Sequence, residues 1–138
     1  GDVLKCVTAV LIAGSMLGFM GKLVAGIFVI LGHMFPVFFR FRGGKGVLTT
    51  AALILMLDWR IFIIGISIFI ALVTTTKYVS LGSICGVSVV PICTWFLYDG
   101  NWHFVGATIL IAAIVIFMHR SNIKRLINGT EPKFRLRK

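Results

Sequence analysis

Apolar residues fill this chain in long blocks, and polar residues break them at short intervals. The blocks cover residues 2–19, 22–39, 45–57, 61–76, 78–98 and 103–118, and a polar tail, "HRSNIKRLINGTEPKFRLRK", follows from His119. None alternates with the period of two that a half-buried strand or a membrane barrel requires, and open sheet edges are not tolerated in lipid. Most show no polar stripe for water either, so each is expected to be a helix solvated by lipid. The pattern predicts an all-α, polytopic helical membrane protein of about six transmembrane helices. Residues 1–138 form a single membrane-embedded domain in this reading, and residues 119–138 are its basic tail. Several blocks are shorter than the roughly 20 residues that cross a hydrocarbon core of about 30 Å. Thinned bilayer, snorkelling flanks or re-entrant segments are expected there.

Composition strengthens the membrane reading. Hydrophobic residues make up 59% of the 138 positions, charged residues 13%, and the mean hydropathy is +1.04. A soluble domain carries about 25% charged residues, so a soluble architecture is excluded. The formal charge of +10 comes from 14 Lys and Arg against 4 Asp and Glu. In a soluble chain that balance would suggest nucleic acid, but here the cations gather at the ends of apolar blocks, and no nucleic-acid partner is expected.

Charge placement also sets an orientation. Six crossings would put both ends on one side, with Lys5, Arg40, Arg42, Lys45, Lys77, Arg120, Lys124, Arg125, Lys133, Arg135, Arg137 and Lys138. Only Lys22 and Arg60 remain for the other. The positive-inside bias therefore places both ends, and the loop at residues 40–46, in the cytoplasm. Trp59, Trp95 and Trp102 fall near the opposite boundary, as an interfacial belt does. Cys6, Cys85 and Cys93 all lie in apolar runs at spacings that suit neither a disulfide framework nor a zinc site. They are expected to be packing residues, and no metal is expected.

One loop interrupts the apolar pattern with distinctive chemistry. "RGGKGV" places Gly43, Gly44, Lys45 and Gly46 just ahead of an apolar block. Glycines admit positive φ and let backbone N–H groups approach an anion, Lys45 adds a charge, and a helix starting near Gly46 turns its positive end to the same spot. A phosphate group is one fitting guest; a topogenic turn gripping lipid headgroups is the other. It is not a P-loop, because Phe39 stands where the first glycine belongs and Gly46 where Ser or Thr follows Lys. Upstream, Pro36 breaks the helix and fixes where the loop begins, and His33 is an ionisable group near membrane depth. In the tail, Ile123, Leu126 and Ile127 recur at helical spacing and Gly129 reads as a helix stop.

"GHMFPVFFRFRGGKGVLTT" and, about seventy residues later, "HRSNIKRLINGTEPKF" closely resemble two motifs of the bacterial acyl-phosphate-dependent glycerol-3-phosphate acyltransferases. That family shows G-H-x-F-P-x-F-x-x-F-[KR]-G-G-K-G-V-x-T and, C-terminally, H-R-x-N-I-x-R-L-x-x-G-x-E. "SLGSI", residues 80–84, looks like its short motif at a helix end. The family has seven helices and an early S-G-N-x-G-A-T-N-x-x-R loop. The opening "GDVLK" resembles the start of its second helix. An N-terminally incomplete chain is therefore expected, lacking one helix and one of three site loops, and inactive as it stands.

The resemblance implies transfer of a fatty acyl group from acyl phosphate to the 1-hydroxyl of glycerol 3-phosphate, giving lysophosphatidic acid for phospholipid biosynthesis. It implies no cofactor and no obligate protein partner. The two substrates and membrane lipids are the partners, at the cytoplasmic face of the bacterial inner membrane. Catalytic candidates are His119, His33, Lys45 and Asn122. Gly43, Gly44, Lys45, Gly46, Thr49, Ser80, Ser83, Arg120 and Asn122 are the phosphate and substrate ligands. Pro36 and Glu131 are structural, the latter as a tether for a nearby cation. Either histidine suits a base near pH 7, and a substrate phosphate is the alternative acceptor. No H-x(4)-D box of the thioester-using acyltransferases and no Ser-His-Asp set is present. An anion or glycerol-phosphate carrier and a non-catalytic lipid-binding scaffold are the competing readings.

Overall fold

The computed structural model describes residues 1–35 and 44–135. Six helices follow in order: α1 (Asp2–Met34), α2 (Val47–Leu57), α3 (Trp59–Thr76), α4 (Val79–Leu97), α5 (Trp102–Met118) and α6 (Arg120–Ile127). There is no strand among the described residues, as the blockwise apolar pattern requires. The chain forms two compact units, Gly1–Phe62 and Ile63–Lys138.

The elements do not map one to one onto the apolar blocks. The first block and the second as far as Met34 are both in α1, which breaks at Gly18 with φ 67° and ψ −150°, backbone space that is essentially closed to any other residue. The break reverses the chain. A Cβ at Gly14 would lie 2.7 Å from Lys22 Cε, and one at Gly21 would run into the Ala13 carbonyl. Residues eight apart would be about 12 Å apart in a straight helix, so the two arms double back and touch. Asp58, Trp59 and Arg60 were expected to separate two blocks; only Asp58 does so. Its carboxylate accepts the Arg60 amide at 2.9 Å and holds the Arg60 guanidinium at 2.8 and 3.1 Å. This caps α3, so Trp59 and Arg60 become its first turn.

In the first unit, Cys6, Val10, Leu23, Ile30 and Met34 of α1 are buried, as are Thr49, Thr50, Leu53 and Ile54 of α2. Leu53 fits because Gly26 has no side chain; a Cβ there would strike both Leu53 methyl groups. In the second unit, Val87, Val90 and Thr94 of α4 are buried along with Phe104, Val105, Thr108, Ile111, Ala112 and Val115 of α5. The Thr94 and Thr108 hydroxyls meet at 3.1 Å. Lipid is as apolar as these side chains, so packing and such hydrogen bonds, each worth about 0.6 kcal/mol, hold the helices together. Gly65 and Gly86 let α3 and α4 touch backbone to backbone: a Cβ at Gly86 would lie 3.0 Å from the Gly65 carbonyl.

Among the described residues, α3 and α4 are each long and apolar enough to cross a bilayer, and so is the run Val3–Met34 of α1 by length and composition. The reversal at Gly18, however, divides that run into two arms of about 16 residues, roughly 24 Å each. The pair α5 and α6, bent by 60°, makes a fourth candidate. At 11 residues, α2 is about 17 Å long, roughly half a hydrocarbon core. Trp59, Trp95 and Trp102 are 62%, 56% and 72% exposed, so they face the surroundings rather than the core.

Candidate functional site

The site residues expected from the sequence fall into two groups, one in each unit. Pro36 and Gly43 lie outside the described residues, so the first group consists of His33, Gly44, Lys45, Gly46 and Thr49.

This group is shaped by glycine. Gly46 caps α2 with φ 72° and ψ 10°, a left-handed conformation. A Cβ there would also strike the end of the Met34 side chain. At Gly44, a Cβ would lie 2.6 Å from His33 Nε2, so the imidazole from the last turn of α1 rests against bare backbone. Lys45 lies between them and is exposed. Beyond the cap, α2 begins with its N–H groups unpaired by earlier turns, and no acidic residue stands in its first turn. Thr49 and Thr50 follow, 1% and 5% exposed. Among the described residues, neither hydroxyl makes a hydrogen bond. A buried hydroxyl without a partner costs about 1–3 kcal/mol. The turn is thus cationic, rich in backbone donors and backed by two unsatisfied hydroxyls, an arrangement suited to an anion.

The second group centres on Glu131. Asn122 of α6 and Ser80 of α4 donate to its Oε1 at 2.8 and 2.7 Å, and Arg125 Nε donates to Oε2 at 2.8 Å. Burial raises the Glu131 pKa. The hydrogen bonds from Asn122, Ser80 and Arg125 and the Arg125 charge outweigh burial and hold the carboxyl at about 2. The carboxylate therefore joins three elements as a permanent anion. Further along, Phe134 N–H donates to the Lys77 carbonyl at 2.6 Å, pinning the tail to the α3–α4 turn. Lys77 itself adopts φ 65°.

His119 stands between α5 and α6, 2% exposed. Its Nδ1 donates to the Val115 carbonyl at 2.7 Å. In the neutral ring this leaves the lone pair on Nε2, the atom that can accept a proton. Ser83, 6% exposed, donates to the Val79 carbonyl at 3.0 Å, so its hydroxyl proton is committed to its own helix. Arg120 is exposed, stacks 4.5 Å above the Phe117 ring and donates to the Phe117 carbonyl at 3.2 Å. At about 100° per residue it projects about 200° around α6 from Asn122. The structure therefore brings Ser80, Asn122 and Glu131 together and sets Arg120 apart from them. Arg125, which the sequence reasoning passed over as a site residue, completes the cluster; its signal is its position three residues after Asn122, on the same face of α6.

These features define a multi-pass helical membrane protein with a glycine-built cationic turn and a carboxylate-centred clamp of polar side chains. Residues 1–129 match the family model for glycerol-3-phosphate acyltransferase, and the chain belongs to that family. The glycerol-3-phosphate acyltransferase of Thermoanaerobacter sp. (strain X514) is 43% identical over 132 residues, 96% of this chain and 66% of the relative. That of Bacillus subtilis (strain 168) is 38% identical over 133 residues, 96% and 68% of the two chains. The chain thus spans about two thirds of the length of these relatives.

Solved structures agree. The glycerol 3-phosphate form of PlsY (YgiH), an integral membrane glycerol 3-phosphate acyltransferase, superposes with a TM-score of 0.89 at 31% identity, over 97% of this chain and 68% of that one. Its lysophosphatidic acid form gives 0.88 at 32%, over 97% and 69%.

Proposed function

We propose that this protein transfers a fatty acyl group from acyl phosphate to the 1-hydroxyl of glycerol 3-phosphate, forming lysophosphatidic acid. The observation that carries the proposal is the likeness to one membrane enzyme solved both with glycerol 3-phosphate and with lysophosphatidic acid, over 97% of this chain. The hydroxyl oxygen attacks the acyl carbonyl carbon, the bond from that carbon to the phosphate oxygen breaks, and inorganic phosphate departs with the electron pair. Acyl phosphate is an activated anhydride, so the protein's main task is to hold two anions in register. Two unit charges about 6 Å apart repel by about 3 kcal/mol at an effective dielectric near 20, and cations must offset that.

In this proposal Lys45, with Gly43, Gly44 and Gly46, binds one phosphate, and Thr49 contributes its hydroxyl. His119 and Asn122 serve the reacting end, and Glu131 sets Asn122 by taking its amide hydrogen bond. The reaction runs at the cytoplasmic face of the inner membrane, where the cation bias puts the glycine turn and the tail. The hydroxyl proton has two acceptors within this scheme, His119 Nε2 and a substrate phosphate oxygen. Turnover retained in His119→Asn assigns it to the phosphate; turnover abolished assigns it to His119.

The test uses the complete gene product in sealed vesicles with acyl phosphate and labelled glycerol 3-phosphate. Labelled lysophosphatidic acid and inorganic phosphate are expected in equal amounts. Loss of a charge-assisted contact of about 1.5–3 kcal/mol should slow Lys45→Ala roughly tenfold to a hundredfold. Uptake of label without acylated product would establish a carrier instead, and neither uptake nor product a scaffold.

A further inference from the structure

We infer that the outer face of α6, with the chain segment that follows it, is a docking surface for the headgroups of anionic lipids. The apolar helix α5 ends at Met118 and α6 departs from it at 60°. With Arg120, Lys124 and Arg125 among its eight residues, α6 is too costly to sit in hydrocarbon, so it begins at the membrane surface. At about 100° per residue, Arg120, Lys124 and Ile127 project on one stripe and Asn122 and Arg125 on the other side. The inner side holds Glu131.

The outer stripe is open. Arg120 and Lys124 are exposed, and Ile127 is 80% exposed. The segment beyond, held to the inner side by Glu131 and to the α3–α4 turn by the Phe134 N–H, exposes Lys133, Phe134 and Arg135 as well. The one acid of that segment, Glu131, is already paired with Arg125 on the inner side, so the outer stripe is purely cationic beside the bared Ile127. Cations beside an apolar anchor, on a short helix lying off the end of a span, match an anionic interface in both charge and depth. A soluble acidic partner would account for the cations but would leave Ile127 and Phe134 without an apolar phase at that depth. The surface is separate from the proposed reaction: of these residues only Arg120 figured among the expected ligands, and it points away from Asn122.

Native mass spectrometry of the complete gene product, released from mixed phosphatidylcholine and phosphatidylglycerol, tests this. Wild-type protein should retain phosphatidylglycerol in preference to phosphatidylcholine. Lys124→Gln should lower that ratio about fivefold, the worth of one surface cation at an anionic leaflet. Lys124→Arg should restore it, and Lys22→Gln, at the reversal of α1, should leave it unchanged. Equal retention of the two lipids by the wild type would overturn the inference. So would a ratio indifferent to Lys124→Gln, or an equal fall in Lys22→Gln. Displacement of phosphatidylglycerol from this surface by added glycerol 3-phosphate would show that substrate, not headgroup, is its ligand, and would overturn it too.

Discussion

At the start of α2 the backbone is positioned by side chains that are absent. Gly46 takes a conformation other residues resist, Gly44 yields its space to His33, and two buried threonine hydroxyls have no partner among the described residues. Around Glu131 the opposite device operates: one carboxylate collects Ser80, Asn122 and Arg125 and ties α4, α6 and the tail together. A phosphate-binding turn has to leave donors unspent so that a ligand can use them. A scaffold for a reacting side chain has to spend its donors, so that the side chain keeps one orientation. The first region is therefore expected to respond to ligand and the second to respond to anything that touches the carboxylate.

The largest effect is expected from removing that carboxylate. Glu131→Ala leaves a guanidinium, an amide and a hydroxyl without their common acceptor, and breaking a buried charged pair costs about 3–5 kcal/mol. Arg125 is 41% exposed and can recover some hydration, which puts the expectation near the lower figure. Thermal unfolding in detergent should show it, and added glycerol 3-phosphate should not recover the loss. A matching acid limb is expected. The folded carboxyl titrates at about 2 against an ordinary value of 4.5, so the folded state holds the anion more tightly than the unfolded one. That stabilisation is complete above pH 4.5 and is lost as pH falls from there towards 2. In Glu131→Gln the same span of pH should no longer carry this contribution. A wild-type stability that stayed flat over that range would show that the carboxylate is not held as described.

Gly46→Ala is the next largest. A left-handed conformation costs a residue with a Cβ about 1–2 kcal/mol, while the Met34 methyl that blocks the new carbon belongs to a flexible chain and can move aside. Stability should fall by about that amount. The KM for glycerol 3-phosphate should rise if the turn holds its phosphate. An equal loss of stability with an unchanged KM would leave the turn as structure only.

How far the sequence anticipated each region follows from the same contrast. The helical class was plain, because an apolar block without alternation has few alternatives in lipid. The break at Gly18 was harder to place: "GFMGK" offers two glycines, and only the packing of Gly14 and Gly21 against the facing arm selects the first for the reversal. Asp58 ends its block while Trp59 and Arg60 do not, since a carboxylate ahead of a helix caps it whatever follows. The left-handed cap at Gly46 and the close approach of His33 to Gly44 agree with a glycine turn whose spacing is local in the sequence. Of the Glu131 clamp only the tether to a nearby cation was legible, and Arg125 fills it; Ser80 lies 51 residues away, and only the fold brings its hydroxyl to the carboxylate. Lys77 offers no signal of its φ of 65°, because no glycine or asparagine marks that turn.

The smallest expected effects belong to the two threonines, and they separate a ligand contact from a vacancy. Thr49 and Thr50 are equally orphaned, yet Thr49 is the one placed with the proposed phosphate ligands. Replacing a buried hydroxyl that has no partner by a methyl of similar shape removes a desolvation cost without breaking a bond. Thr50→Val should therefore change stability by no more than about 0.5 kcal/mol, or improve it, with KM unaltered. Thr49→Val should be as mild in the unliganded protein. If its hydroxyl serves phosphate, it should raise the KM for glycerol 3-phosphate about tenfold, the value of a hydrogen bond to a charged group. Measuring unfolding with and without glycerol 3-phosphate decides the matter, because only the Thr49 variant should lose part of the ligand's stabilisation. Identical behaviour of the two variants would remove Thr49 from the phosphate site and leave the turn to act through backbone and Lys45 alone.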